Sequence, residues 1–215
     1  MIAKGAPYSP IGHVSTLWIG AALLIPTFAI LAFIALQPWI PVAYLVRDPL
    51  VVAMQAAECC SSYYGALSNL GVLLWNATGT ICLTLALQVW LAGAKRSMVA
   101  FFLTGGLFSI WLGLDDLFLL HDGVLPALGV PEKVIYAMYA ATALAYLIFG
   151  WRYILAGRVS LFILAAANLG GSIALDIAAT SEEPFWIFTE DTLKFTGIVL
   201  WAGFHAVSAL ETSGH

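Results

Sequence analysis

The sequence predicts an all-α integral membrane bundle of six transmembrane helices, and three observations carry that prediction. Hydrophobic residues make up 62% of the 215 and charged residues only 9%, where a soluble domain carries about 25% charged. The mean hydropathy is +0.96. Apolar runs that can cross roughly 30 Å of hydrocarbon, each needing about 20 residues, recur along the whole chain as a single transmembrane domain.

The first run is Val14 to Leu36, closed by Gln37-Pro38. It is too long for a signal-peptide core and only Lys4 precedes it as a basic residue, so a retained span is expected. The connection Gln37 to Ala66 carries an apolar stretch around Leu50 to Ala57, which predicts an interfacial or re-entrant segment. Leu67 to Leu91 is the second run, where Ser68, Asn69, Asn76 and Thr80 can bond between helices and Gly71 and Gly79 permit close backbone approach. The third is Met98 to Leu120, the fourth Pro131 to Gly150, the fifth Val159 to Ala179 and the sixth Thr192 to Leu210. Short connections after the second, third and fourth make those helices antiparallel neighbours. The eight tryptophans mostly suit interfacial belts.

Charge sets the expected orientation. Lys4, Lys95, Arg96, Arg152 and Arg158 fall at one set of helix ends, which the positive-inside rule assigns to the cytoplasm together with both termini. Of the twelve acids, all except Glu211 fall at the other ends. Acids contribute little to orientation, so the bias has another cause, either a solvated rim or a vestibule that concentrates cations. Glu182 and Glu183 suit a rim. Asp115, Asp116 and Asp176 lie inside their helices, the first two about 9 Å below the end at 1.5 Å per residue, and ionisable groups at that depth pair with something and mark function.

The stretch LDDLFLLHD, Leu114 to Asp122, is the densest candidate. On a regular helix Asp115, Phe118 and Asp122 share a face, Asp116 is turned about 100° from Asp115, and His121 lies about 120° from that face. Other helices must therefore complete any site. The last run offers TEDTLKFTG, with Thr189 as N-cap, Glu190 and Asp191 in the first turn, and Glu190 and Lys194 as an i,i+4 ion pair. Carboxylates with one imidazole suit zinc, manganese or iron, so Asp115, Asp116, His121, Asp176, Glu190 and Asp191 are the candidate ligands, with Asp116 and His121 as catalytic groups for metal-assisted hydrolysis. Lys194 could instead neutralise a buried aspartate and turn the cluster into an ion network. His205 lies some 20 Å away across the membrane, as an interhelical hydrogen-bonding histidine or an axial ligand for haem or a chlorophyll-like pigment. Cys82 reads as a small apolar filler, while Cys59 and Cys60 stay open as redox or metal candidates. No Walker, GxGxxG or GxSxG pattern is present, so nucleotide and serine-hydrolase readings fall away, and no nucleic-acid partner is expected.

The combination SNLGVLLW, LDDLFLLHD, GVPEKVIYAMYA and EDTLKFTGIVLW resembles uncharacterised multi-pass membrane proteins of bacteria over most of the chain, which implies a bacterial inner membrane and no particular activity. The order Glu58, Ser68, Asp116, His121 and His205 is similar to that of the CREST membrane hydrolases, which include alkaline ceramidases and adiponectin-receptor-like proteins. That resemblance implies zinc-dependent hydrolysis in a seven-helix bundle. Two functional expectations follow. One is a metal- or cation-binding membrane protein, with hydrolysis of a lipid or amphipathic substrate at the outer leaflet as its candidate activity. The other is a non-catalytic accessory subunit of a larger energy-transducing or pigment-binding membrane complex. Transport is a poorer third reading, since no inverted repeat is evident.

Overall fold

The computed structural model describes residues 14–56, 61–178 and 183–213. Glu58, Cys59, Cys60, Lys4 and Glu182 lie outside the described residues. Six helices among the described residues are long and apolar enough to cross a membrane, as the composition requires.

Helix α1 (Thr16–Leu36) starts at Ser15, whose hydroxyl accepts from the Trp18 amide. It is almost wholly turned outward, with Leu17, Trp18, Ile25, Phe33 and Leu36 exposed, as a lipid-facing helix must be. Its end is fastened by one side chain: Gln37 Oε1 accepts from the amides of Trp39 and Ile40, both at 2.9 Å, and Nε2 donates to the Ile40 carbonyl at 2.6 Å. The long connection then forms two short helices, α2 (Val42–Val46) and α3 (Pro49–Gln55). Val46 and Val52 are buried, so this segment packs into the bundle end. Gly65 has φ +64°, and a Cβ there would run into the Pro49 ring; only glycine fits this approach.

Helices α4 (Ala66–Leu91) and α5 (Arg96–Phe118) form a close antiparallel pair. Glycines set the spacing, since a Cβ on Gly79 would lie 3.0 Å from the Gly106 carbonyl and one on Gly106 would meet Leu83 at 2.8 Å. Dispersion between such close backbones replaces the hydrophobic drive that lipid cannot supply. A π-turn (Leu120–Val124) and the short α6 (Leu125–Ala127) lead to α7 (Glu132–Ala156), then α8 (Val159–Ala178) and α9 (Pro184–Ser213). The fourth span therefore continues past Gly150 to Ala156, and the last begins eight residues before Thr192.

Helix α9 is the hub, packing against α1, α2, α4 and α8. Its residues Ile198, Leu200, Trp201, Phe204 and His205 sit at the centre of the main core. Gly197 lies against Leu169 and Gly203 against Leu23. Trp75 and Trp201 are buried, 3% and 5% exposed, and meet edge to face, so these two belong to the core and not to an interfacial belt. At the basic end Arg158 binds Glu211 at 3.1 Å and donates to Thr16 Oγ1 at 3.0 Å, tying α8, α9 and α1 together. Thr16 and Glu211 thus share one end of the bundle. The acidic clusters occupy the other.

Candidate functional site

The acidic end is built on the break at the close of α5. A regular helix would carry His121 away from Asp115, but Leu119 adopts φ 50°, ψ 50°, the left-handed region, and the chain folds back into the π-turn. For a residue with a Cβ this conformation costs about 1–2 kcal/mol. The reversal puts His121 onto Asp115. The His121 amide donates to Asp115 Oδ1 at 2.9 Å and its Nδ1 lies 2.7 Å from Oδ2. Asp115 is only 3% exposed, so its charge is met chiefly by this residue. Since a carboxylate accepts, Nδ1 carries the hydrogen and Nε2 is left as the basic nitrogen. An acid that fixes the tautomer and ring of a histidine is the arrangement that makes an imidazole a general base.

Asp116 points elsewhere, as the 100° turn between neighbours dictates. Lys194 Nζ of α9 lies 2.9 Å from its Oδ1, and Trp75 Nε1 of α4 donates to Oδ2 at 3.2 Å. The ion pair of Lys194 with Asp116 is therefore interhelical, a partner that spacing along one helix does not reveal. Asp116, Asp191, Lys194 and Ser68 line a cavity of about 10 Å³, room for about one water. Ser68 donates to Asp48, which sits between α2 and α3. Asp176 of α8 accepts from the Tyr136 hydroxyl of α7 at 3.3 Å.

The expected single ligand set is therefore divided. Asp115 with His121, Asp116 with Lys194 and Trp75, and Asp176 with Tyr136 are three separate groupings, while Glu190 and Asp191 lie on α9. Among the described residues no three His, Cys, Asp or Glu side chains gather as a metal site. Thr189 is not a cap: α9 begins at Pro184, a residue favoured at the first helical position, and the Thr189 hydroxyl donates back to Phe185. His205, fully buried, has both ring nitrogens engaged. Nδ1 donates to the Trp201 carbonyl at 3.0 Å, so Nε2 accepts from the Tyr146 hydroxyl at 3.1 Å, and this arrangement leaves no nitrogen open to a haem or pigment metal. It is far from His121, as helix length demands.

Sequence patterns do not single out Trp75, Tyr136, Tyr139 or Tyr146. Composition alone puts the first in a belt. The spacing of Tyr136 and Tyr139, i and i+3 on one helix, is a usable signal because such residues share a face. Tyr139 sits with its hydroxyl buried beside the Asp115 carboxyl.

The fold and this end together define a six-span, all-α membrane protein with paired ionisable groups inside its helices. The chain belongs to the family described as a domain of unknown function, DUF8692, whose model matches residues 16–208. No curated protein and no solved structure matches the chain.

Proposed function

We propose that the protein is an enzyme of the bacterial inner membrane, with its acidic end on the extracytoplasmic side, that hydrolyses a lipid or other amphipathic substrate using His121 as general base. The observation that supports this most is the Asp115–His121 dyad, held on a strained turn at the acidic end of the bundle. In this reading Nε2 takes a proton from water as the water oxygen attacks a substrate carbonyl carbon. The same proton then passes to the leaving group as the bond breaks, so one water is consumed per cleavage. Asp115 orients the ring and stabilises the imidazolium. Asp116, Lys194 and Trp75 brace α4, α5 and α9 behind the dyad. A zinc, manganese or iron ion would have to draw on carboxylates that already hold His121, Lys194 and Tyr136, so the base working without a metal is the better supported form.

The test is turnover of a panel of ester- and amide-linked lipids by the purified protein in vesicles, with its metal content measured in parallel. Wild type should cleave at least one class, and His121→Ala should lose that activity while remaining folded, its unfolding temperature lowered because Asp115 is left without its partner. An unchanged rate in His121→Ala would sink the base assignment. A second reading, the accessory subunit, is favoured by a groove of about 480 Å³ between α4 and α9. Thr80, Thr84 and Gln88 line it and are exposed, and polar side chains on a lipid-facing surface can bond to a neighbouring helix. A protein that purifies only with partner chains and cleaves nothing would establish that reading over the enzyme.

A further inference from the structure

Three rings meet beside the dyad. The centroids of His121 and Tyr136 are 6.3 Å apart, those of His121 and Tyr139 6.4 Å, and those of Tyr136 and Tyr139 6.5 Å. This is a nearly equilateral triangle whose planes are inclined to one another by 50°, 73° and 76°. With such inclinations the three faces can turn toward one point, and a cation there would lie about 5 Å from each ring, within the roughly 6 Å over which a π-face attracts positive charge. Trp111 lies behind Tyr139 at 6.5 Å. The Asp176 carboxylate is bonded to the Tyr136 hydroxyl and is exposed at the same mouth, and Asp115 lies behind His121. Negative charge is thus placed on two sides of the rings, with no Lys or Arg among the residues that form them.

Two further features narrow the ligand. Val134 and Met138 of α7 are exposed, about half accessible each, so the helix that supplies both tyrosines is open to acyl chains. The Tyr139 hydroxyl is buried beside the Asp115 carboxylate, which puts a polar group on the same side of the rings as that charge. Resting on the reading of the dyad as a hydrolytic base, we infer that its substrate is an amphiphile with a quaternary ammonium head, which the triangle His121, Tyr136 and Tyr139 holds by its π-faces. A compact, hard-to-dehydrate head such as a bare phosphate is disfavoured by the flanking carboxylates.

The experiment is competitive retention: the protein in neutral detergent is mixed with equimolar choline-headed and glycerol-headed phospholipids of identical chains, and bound lipid is counted by native mass spectrometry. Wild type should retain the choline-headed lipid about fivefold or more over the other. Tyr136→Leu and Tyr139→Leu should each erase most of the preference, whereas Tyr136→Phe, which keeps the ring, should preserve it. Choline chloride added as a soluble competitor should lower the preference, since the chains of the two lipids are identical and only the heads differ; a preference untouched by a large excess of choline would overturn the inference. Equal retention of the two lipids, or a preference that survives both leucine variants, would also overturn it. Asp115→Asn keeps all three rings, so it should lose turnover and retain the preference. A wild type that shows the preference but no turnover leaves the cage standing and the hydrolase reading failed. Turnover without any preference does the reverse.

Discussion

Lys194 Nζ lies 2.9 Å from Asp116 Oδ1, an ion pair that joins the last helix to the third span inside the bundle. Its members differ in access, the Lys194 side chain being 30% exposed and that of Asp116 9%. Removing one partner strands the other, and for a buried pair that costs about 3–5 kcal/mol. Here the long lysine stem can carry its ammonium toward the bundle end when Asp116 is removed, whereas the short aspartate cannot move, so the two single variants should differ. Lys194→Met, which strands the buried carboxylate, should lower the unfolding temperature in detergent more than Asp116→Leu does. The double variant Asp116→Leu/Lys194→Met should recover most of the loss, because replacing both charges by apolar groups removes the desolvation penalty along with the attraction. Equal losses that simply add in the double variant would show that the pair is not coupled.

The dyad makes a chemical prediction that needs no substrate. The His121 side chain is 17% exposed, whereas His205 is 0% exposed with both nitrogens bonded. An imidazole-acylating reagent should therefore modify His121 and leave His205 intact in the folded protein, read by peptide mass spectrometry. Asp115→Asn should slow that modification, and any turnover should fall between about 10²- and 10⁴-fold, the range seen when an orienting acid or a general base is lost. Rapid labelling of His205 in the native protein would contradict the buried pairing with Tyr146.

Gly105 tests that pairing from the other side. A Cβ at this position would stand 2.9 Å from His205 Nε2 and 3.1 Å from Tyr146, so Gly105→Ala should wedge the two apart. Overpacking a tight core costs about 1–3 kcal/mol, and an unsatisfied buried imidazole adds to it. Tyr146→Phe leaves Nε2 without its donor but adds no bulk. Its loss should stay near the 1–3 kcal/mol of an orphaned polar group, below that of Gly105→Ala, when both are measured by denaturant or thermal unfolding.

The six spans were legible because hydropathy along the chain is one-dimensional information, and lipid leaves the backbone no other way to satisfy its hydrogen bonds. The direction of Asp116 was legible too, since 100° per residue separates it from Asp115 whatever the rest of the fold does. The meeting of His121 with Asp115 was not. It depends on Leu119 taking a left-handed conformation that nothing in the local sequence demands, no Gly or Asn being present at that position. The start of α9 was hidden for a similar reason: Thr189 and the following acids imitate a cap so well that they mask Pro184, the true first residue. Asp116 and Lys194 are 78 residues apart, a distance over which spacing rules carry no information.

Leu119 itself supplies the last prediction, because two effects of opposite sign act on it. Its left-handed backbone costs about 1–2 kcal/mol, which glycine would relieve. Its side chain is only 7% exposed, and deleting a buried leucine side chain costs about 2–5 kcal/mol. The lost packing outweighs the relieved strain, so Leu119→Gly should be destabilising by about 1–3 kcal/mol. Leu119→Ala keeps the strained Cβ and loses the same packing, so it should be worse than glycine, an inversion of the usual order in which glycine weakens a helical segment more than alanine. Both variants should also loosen His121 from Asp115 and slow acylation at Nε2 less sharply than Asp115→Asn does. If alanine proved the milder substitution, the left-handed turn that brings His121 back onto Asp115 would not be the conformation the protein holds.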